Sequence, residues 1–442
     1  MDIKLSDHFT YGKLIRFTLP SVSMMIFTSI YGVVDGYFVS NYAGKTSFAA
    51  VNLIMPFIMI LGGLGFMVGT GGSALVSMTL GMGKKEEANR IFSMLVYALI
   101  GAGLVIVLAG FVFMRPVSVF LGATDEMLPT CVLYGRLSLI SLIPFMLMNM
   151  FNSFFVTAER PQFGFYNTVA AGVANMVLDW LLLGKLSMGV VGAALATVVS
   201  EYIGGLVPLM YFALPNRSLL RLTKTGFNGR ALIRTCTNGA SEFTTNISFS
   251  VVSMIYNVQL MKLAGEDGVA AYGVIMYVCF IFIAVFLGYS IGCAPVIGYH
   301  YGAEDSEELS GLLRKSIVIS AVSAAILTFL AEAFSEPLSR LFVGYDADLL
   351  AMTTRAFRLY GICFLLCSFN IFGSGFFTAL NNGAVSAAIS LGRTFVFQVI
   401  FVFALPLVLG LDGIWLASAF AEMAAFFVTA ACIIRYKERY HY

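Results

Sequence analysis

The stretch GAALATVVSE at residues 192–201 recurs as GIWLASAFAE at residues 413–422, which lies 221 positions further along a chain of 442 residues. The same offset aligns many other positions, among them Ile54-Met55 with Ile275-Met276, Gly81 with Gly302, Pro116 with Pro337 and Thr157-Ala158 with Thr378-Ala379. A constant offset of half the chain length indicates two copies of one structural unit.

The composition places these units in a membrane. The chain is 59% hydrophobic and only 11% charged, with 40 Phe, 22 Met and 43 Gly. A soluble domain of this size could not hide so much apolar surface, so a soluble protein with a large core is disfavoured. Runs of about 20 apolar residues recur, and each is long enough to cross a bilayer core of about 30 Å. The sequence therefore predicts a polytopic membrane protein.

Polar breaks between the apolar runs predict twelve membrane-spanning helices. Their approximate bounds are 17–39, 47–78, 92–115, 130–157, 163–183, 190–213, 232–261, 269–298, 316–334, 349–380, 385–408 and 413–434. Six spans in each copy give both copies the same orientation, so an axis along the membrane normal should relate them. We expect an all-α fold with two pseudo-symmetric six-helix lobes, 1–213 and 232–442, joined by a basic linker at 214–231.

The Lys and Arg residues outside the span centres predict the orientation. Seventeen fall on the side that carries the termini and eight on the other side. The positive-inside rule therefore predicts that both termini are cytoplasmic, in a multi-pass protein of the bacterial cytoplasmic membrane. We interpret the basic linker at 214–231 as a topology-setting segment near anionic lipid, and not as a nucleic-acid site.

A few ionisable side chains lie inside the predicted spans: Asp35, Asp179, Glu201, Glu242, Arg393 and Glu422. Each costs several kcal/mol in hydrocarbon unless it is paired, hydrated or protonated, so each is a candidate functional group. At a rise of about 1.5 Å per residue, Asp35, Asp179 and Thr197 reach a similar depth towards the outer side. Asn175 lies one turn below Asp179 on the same helix face.

Two carboxylates, an amide carbonyl and a hydroxyl supply the oxygen ligands of a small hard cation, and two neighbouring carboxylates can also share a proton. At the 221-residue offset Asp35, Asn175 and Asp179 correspond to Tyr256, Val396 and Ile400, so this acidic group belongs to the first half alone. The alternative is that the aspartates only hydrogen-bond to helix backbone.

The remaining intramembrane charges have weaker signals. Glu242, whose repeat partner is Ser21, is either a substrate or gating carboxylate or an interfacial carboxylate favoured by a helix N-terminus. Glu201 and Glu422 are repeat-equivalent, which favours a shared structural role such as capping or pairing. Arg393 should pair with a carboxylate, and Glu422 on the next span is the obvious partner.

The sequence contains no H-E-x-x-H or P-loop pattern, two motifs that are typical of enzymes. The glycine-rich stretch at 62–72 lies inside an apolar span with no strand before it, so it favours close helix packing over a nucleotide loop. We expect a protein that is not an enzyme and that uses no cofactor other than a coupling ion.

The chain resembles the multidrug and toxic compound extrusion (MATE) family, and within it the DinF/MepA-type bacterial branch. The matching motifs are VVDGYFVS at 33–40, N-x-x-x-D at 175–179, GAALAT at 192–197 and GASEF at 239–243. The resemblance covers essentially the whole chain. It implies a MATE/MOP-type fold with a V-shaped cavity between the lobes, alternating access, and export of organic cations driven by H⁺ or Na⁺.

The family's first-lobe cation site maps onto Asp35, Asn175, Asp179 and Thr197, where Na⁺ is one possible ion. Tyr134 and Asn152 match polar cavity positions of the family, although Asn152 should lie well below Asp179. The candidates for the substrate cavity are Tyr134, Asn149, Asn152 and Glu242. The acidic pair that some members carry in the second lobe is not evident in this sequence.

We therefore expect a monomeric secondary antiporter that exports small, mainly cationic or amphipathic organic compounds, with membrane lipid and no nucleic acid as further partners. The alternative is a flippase for a lipid-linked precursor from the same superfamily. That activity requires a cavity lined with cationic side chains, and the spans offer little beyond Arg393. An intramembrane enzyme requires a nucleophile or metal constellation, and the sequence shows none in the spans.

Overall fold

The structure is a computed structural model that describes residues 3–43 and 45–442, with the backbone only for residues 45–49. Met1, Asp2 and Gly44 lie outside the described residues. The first half contains six helical spans: α1 Tyr11–Tyr42, α2 Lys45–Gly81, α3 Lys85–Phe120, α4 Leu128–Ile140 with Leu142–Thr157, α5 Pro161–Lys185 and α6 Gly189–Ala213.

The second half repeats this series. A continuous helical run, Gly229–Gly302, is broken at Gly265, whose φ of 64° and ψ of −149° are not helical. The break gives α7 at 229–264 and α8 at 266–302. The other four spans are α9 Ser306–Val343, α10 Ala347–Gly361 with Phe364–Ala379, α11 Gly383–Leu409 and α12 Leu411–Tyr440.

The count of twelve spans in the described chain confirms the expected fold class. Nine helices are long and apolar enough to cross a membrane, two bent helix pairs add one span each, and the break at Gly265 divides the longest helix into two. The helices are longer than the predicted spans because polar residues cap their ends. Thr10 accepts a hydrogen bond from the amide of Lys13, and Asp346 accepts from the amides of Asp348 and Leu349.

The sequence repeat is also a repeat of backbone shape. The two parts of α4 meet at Ser141 with a bend of 52°, and the two parts of α10 meet 221 residues later with a bend of 45°. Gly189 and Gly410, which are repeat-equivalent, both have a positive φ, 57° and 58°, where α6 and α12 begin. Each half therefore folds as a copy of the other at this bend and at this turn.

Close helix crossings join the two halves near the face that carries the termini, called here the terminal side. A Cβ at Gly81 of α2 would lie 2.0 Å from the carbonyl oxygen of Tyr299 of α8, and a Cβ at Gly302 would lie 2.0 Å from the carbonyl oxygen of Met78. Met78 and Tyr299 are repeat-equivalent, as are Gly81 and Gly302. The two contacts are therefore the same contact seen from either lobe, so α2 and α8 cross at the pseudo-twofold axis.

Hydrophobic packing follows the same division. One buried cluster is built almost wholly from the first half, and a second lies entirely between residues 252 and 417 of the second half. A third cluster combines Leu5, Phe9, Leu14 and Phe17 with residues of α8 to α12. The N-terminal segment thus contributes to the core that joins the lobes on the terminal side.

The segment between the lobes, residues 214–228, has no helix but is docked on the first lobe. The Arg221 amide donates to the side-chain oxygen of Asn89 at 2.7 Å, and the Thr223 amide donates to the Ser93 hydroxyl at 2.8 Å. Leu220 is fully buried. This basic segment therefore lies along the start of α3 as an ordered connection.

Candidate functional site

Three of the four predicted coupling residues meet between α1 and α5. The side chains of Asp179 and Asn175 both contact the carboxyl group of Asp35 at hydrogen-bonding range. Asp179 is fully buried and Asn175 is 2% exposed. Because α1 and α5 rise from the same side and pack along each other, the equal depths expected from the sequence become a direct contact.

Several oxygen atoms of this cluster have no hydrogen-bond donor in the described chain. They are Oδ1 of Asp35, Oδ1 of Asn175 and both carboxyl oxygens of Asp179, and all are buried. Two ionised carboxylates are acceptors only, so they can touch only if a proton or a cation lies between them. Buried acceptors without donors are costly, and a proton or a cation among these oxygen atoms would lower that cost.

The helical geometry of the α5 backbone changes at Asp179. The α-helical part of α5 ends at Asp179, and the following six residues, Trp180–Lys185, form a π-helical turn. Such turns are rare and are frequent at functional sites, because the widened turn redirects the side chains around it. Nothing in the apolar sequence WLLLGK signals this turn.

Thr197, the fourth predicted ligand, is not in contact with the carboxylates. Its hydroxyl donates to the carbonyl oxygen of Ala193 in its own helix at 3.1 Å. It lies on α6, which packs beside α5, and its oxygen lone pairs remain able to accept. Its assignment as an ion ligand stays a prediction.

The cavity candidates of the first lobe occupy different environments. Tyr134 on α4 is 3% exposed and lies within electrostatic range of Asp35, Asp179 and Glu201, in the same region of the first lobe as the acidic cluster. Asn149 is buried and its amide is 3.5 Å from the carbonyl oxygen of Gly62, where it joins α4 to α2. Asn152 is half-buried and makes none of the described hydrogen bonds.

Two further residues of the cluster were missed at the level of sequence. Tyr31 lies near both Asp35 and Glu201, and Ser141 lies beside the carboxyl group of Glu201. Tyr31 precedes Asp35 by four residues, so the helical i, i+4 spacing was a usable signal. Ser141 carries no such signal, because its position depends on the bend of α4.

In the equivalent region of the second lobe, a polar side chain forms a hydrogen bond with a neighbouring side chain. Tyr256, at the position of Asp35, donates its hydroxyl to the side-chain oxygen of Gln398 at 2.8 Å. Its ring stacks on that of Tyr272 with a centroid distance of 5.0 Å. Val396 and Ile400, at the positions of Asn175 and Asp179, are apolar. The unpartnered acidic cluster is thus a property of the first lobe.

The expected pair between Arg393 and Glu422 is present in the second lobe. The two charged groups are 3.0 Å apart, with side-chain exposures of 11% and 5%. Asn370 donates to the other carboxyl oxygen of Glu422 at 2.7 Å. Glu242 is half-buried on α7 and near enough to Arg393 for their charges to interact, but it forms no ion pair with any of the described residues. The pairing role does not extend to Glu201, which has no basic partner among the described ion pairs.

Twelve spans in two like lobes, with an unpartnered acidic cluster inside one of them, define a secondary membrane transporter and not an enzyme. Comparison with known families gives the particular group. The MatE family model matches residues 20–181 and again residues 243–404, one match in each lobe. The chain therefore belongs to the MatE family.

Among curated proteins, the chain is similar to the multidrug export protein MepA of Staphylococcus haemolyticus strain JCSC1435. The two sequences are 24% identical over 432 residues, which is 97% of this chain and 94% of the relative. MepA of Staphylococcus aureus strain MSSA476 is also 24% identical, over 84% of this chain and 82% of its own length.

Among solved structures, an outward-facing MATE family multidrug resistance transporter of the MOP superfamily has a TM-score of 0.91 and 23% identity, with 98% of each chain covered. A MOP superfamily transporter from Pyrococcus furiosus, described as having a binding pocket of reversed polarity, has a TM-score of 0.90 and 22% identity, again with 98% coverage of both chains. At these identities the likeness shows the fold alone.

Proposed function

We propose that this protein exports small organic compounds, mainly cationic or amphipathic ones, in exchange for H⁺ or Na⁺ that enters through the first lobe. It lies in the bacterial cytoplasmic membrane as a monomer with both termini in the cytoplasm. The coupling ion binds at Asp35, Asn175 and Asp179, with Thr197 as a further ligand. The MatE family membership and the multidrug export relatives support the substrate class.

The observation that carries the proposal is the unpartnered acidic cluster in only one of two equivalent lobes. The second lobe holds Arg393 and Glu422 in an ion pair, whereas the acidic cluster of the first lobe keeps four buried oxygen atoms without a donor in the described chain. A permanently empty cluster of this kind is unfavourable in a membrane. Its free energy therefore depends strongly on whether a cation is present, which is the property that coupling requires.

The lobe arrangement supports alternating access. The glycine crossings between α2 and α8 and the apolar cluster around Phe9 join the lobes on the terminal side, which we place in the cytoplasm. The interface between the lobes extends to mid-depth, where the Ser29 hydroxyl of α1 donates a hydrogen bond to the carbonyl oxygen of Phe280 of α8 at 3.3 Å. In this state the cavity between the lobes faces outward, where substrate is released and the coupling ion enters.

The size of the electrostatic effect is sufficient for coupling. One unit charge at about 4 Å from another is worth about 4 kcal/mol at an effective dielectric constant near 20. A shift of a two-state equilibrium from 1:99 to 99:1 requires about 5.5 kcal/mol. Binding or loss of one cation at the cluster therefore supplies most of the free energy needed to change the preferred state.

The test is gradient-driven transport in proteoliposomes, with tetraphenylphosphonium as a lipophilic cation probe and with pH and sodium gradients imposed separately. Asp35→Asn and Asp179→Asn remove the charge with little change in shape. We expect both to abolish gradient-driven accumulation while probe binding and thermal stability persist. Thr197→Ala should weaken ion dependence less, because water can replace one hydroxyl ligand.

A matched control is Asp125→Asn, which makes the same chemical change at an exposed aspartate outside the spans. It should transport at the wild-type rate. If Asp35→Asn and Asp179→Asn both pump against a probe gradient at near wild-type rates, the coupling site lies elsewhere and the proposal is wrong.

A flippase activity has less support. Such a cavity needs cationic groups free to bind a pyrophosphate. Arg393, which lies inside α11, is engaged with Glu422 and its side chain has an exposed fraction of 11%. A deep cationic pocket is therefore not available at this position.

A further inference from the structure

Glu201 and Glu422 occupy equivalent positions in the two lobes but have opposite electrostatic surroundings. Glu422 has a fixed cation, Arg393, at 3.0 Å and a hydrogen-bond donor, Asn370, at 2.7 Å. The repeat provides an internal comparison, because the 221-residue offset identifies the first-lobe counterpart of each partner. Those counterparts are Gly172 for Arg393 and Asn149 for Asn370.

Neither counterpart acts on Glu201. Gly172 has no side chain, and the space above it is filled by α1: a Cβ there would lie 2.6 Å from Cε1 of Phe27 and 2.8 Å from Cδ1 of Tyr31. Asn149 directs its amide at the carbonyl oxygen of Gly62 instead. The cation and the donor that neutralise Glu422 are thus both missing around Glu201.

Glu201 is nevertheless deeply placed. It is the thirteenth of the 25 residues of α6 and has an exposed fraction of 9%. Its carboxyl group lies beside the Ser141 hydroxyl and near Asp35, whose charge repels it when both are ionised. An isolated carboxylate in the middle of a membrane costs several kcal/mol, and a neighbouring negative charge adds to that cost.

We propose that Glu201 is a second proton-binding site of the first lobe, separate from the Asp35–Asp179 cluster. It takes one proton from the aqueous cavity on the outer side and releases it on the cytoplasmic side, passing between carboxylate and carboxylic acid. The ligand is a proton and not a metal ion, because metal cations need several oxygen ligands and, among the described residues, Ser141 is the one whose hydroxyl lies at hydrogen-bonding range of Glu201. The transport cycle in which this proton takes part rests on the function proposed above.

The surroundings of Glu201 also connect its charge to a movable part of the fold. Ser141 is the residue at which α4 bends by 52°. The residue after Glu201, Tyr202, donates its hydroxyl at 3.2 Å to the carbonyl oxygen of Ile140, which is at the end of the first part of α4. A change of charge at Glu201 therefore acts on the bend, whereas the equivalent bend of α10 is next to a glutamate that is already neutralised.

The experiment measures how many protons are coupled to each exported cation. With the membrane potential clamped at zero and a pH gradient of one unit, each coupled proton supports an about tenfold gradient of tetraphenylphosphonium. Glu201→Gln fixes the neutral form of the side chain. We expect its limiting probe gradient to be about tenfold smaller than that of the wild type, with transport retained.

The matched control removes the equivalent charges of the second lobe without leaving one unpaired, in the double variant Arg393→Met with Glu422→Gln. Its limiting gradient should equal that of the wild type. An unchanged limiting gradient in Glu201→Gln overturns the proposal, because the side chain then exchanges no proton during transport.

A second measurement does not depend on transport. Infrared difference spectra of the purified protein between high and low pH should contain a carboxylic acid carbonyl band that is present in the wild type and in Asp179→Asn and absent in Glu201→Gln. If no band is lost in Glu201→Gln, Glu201 does not titrate and the inference is wrong. Failure of the coupling-site proposal is recognised differently, by Asp179→Asn continuing to pump.

Discussion

Arg393→Met removes the cation of the buried pair in the second lobe and keeps a side chain of similar length. The charged atoms are 3.0 Å apart, and at an effective dielectric constant near 20 their attraction is about 5 to 6 kcal/mol. Removal of one partner from a buried pair typically costs about 3 to 5 kcal/mol, because the other charge remains buried. In a lobe the size of 232–442, this corresponds to a fall in Tm of roughly 6–20 °C.

The two partners should differ in their dependence on pH. Glu422 can bind a proton when its cation is removed, whereas an arginine that has lost its carboxylate cannot lose its charge. The Tm deficit of Arg393→Met should therefore shrink as the pH is lowered, while that of Glu422→Gln should not. The double variant should recover most of the loss, since neutral replacement of a whole buried pair is often tolerated.

Thermal unfolding in detergent at about pH 5.5 and about pH 8.5 measures both effects. Arg340→Met is the control, because its pair with Glu336 at 2.6 Å is exposed and such pairs contribute at most about 1 kcal/mol. A Tm of Arg393→Met equal to that of Arg340→Met, or a double variant no more stable than the single variants, would refute the reasoning.

Three further outcomes are expected. Gly302→Ala should lower the Tm, because its methyl group would clash with a carbonyl oxygen of α2, whereas Gly101→Ala, with no neighbour within 4 Å, should not lower it. In a cysteine-free background, Lys4→Cys and Lys437→Cys should resist membrane-impermeant thiol reagents in intact cells, and labelling of both from outside would contradict the assigned orientation. Asn89→Ala removes the side-chain oxygen of α3 that accepts a hydrogen bond from the linker amide of Arg221, so trypsin should cut the linker faster. An unchanged cleavage rate would show that this hydrogen bond does not hold the linker in place.

The fold was largely predictable because a bilayer imposes one length on every apolar helix, and the 221-residue offset provided a second, independent count. The ends of the helices were not predictable from apolarity, since polar caps such as Thr10 and Asp346 extend the helices beyond the hydrocarbon region. The break at Gly265 was expected as a loop between two spans and is instead a single non-helical residue within a continuous helical run.

The candidate site was predictable where helix periodicity and depth in the membrane fix the geometry, and not where it depends on the local hydrogen bonds of a side chain or on substitutions in neighbouring helices. The i, i+4 spacing of Asn175 and Asp179 and the depth of Asp35 were sufficient to bring these three together. The orientation of a hydroxyl is decided by local competition, and Thr197 hydrogen-bonds to its own helix. The equivalence of Glu201 and Glu422 suggested one shared role, but their partners reside on other helices that have diverged.

The reciprocal contact of Gly81 and Gly302 has a consequence for the ancestry of the molecule. A surface that matches itself under a twofold rotation can join two separate copies of a half-length chain, and each such chain needs only one glycine to build both crossings. In the fused chain the two glycines can mutate independently of each other, and so can equivalent residues in the interiors of the two lobes. A dimer of two identical half-length chains would carry the same acids in both halves. Fusion allowed one half to keep an acidic cluster without a basic partner and the other half to pair its glutamate with an arginine.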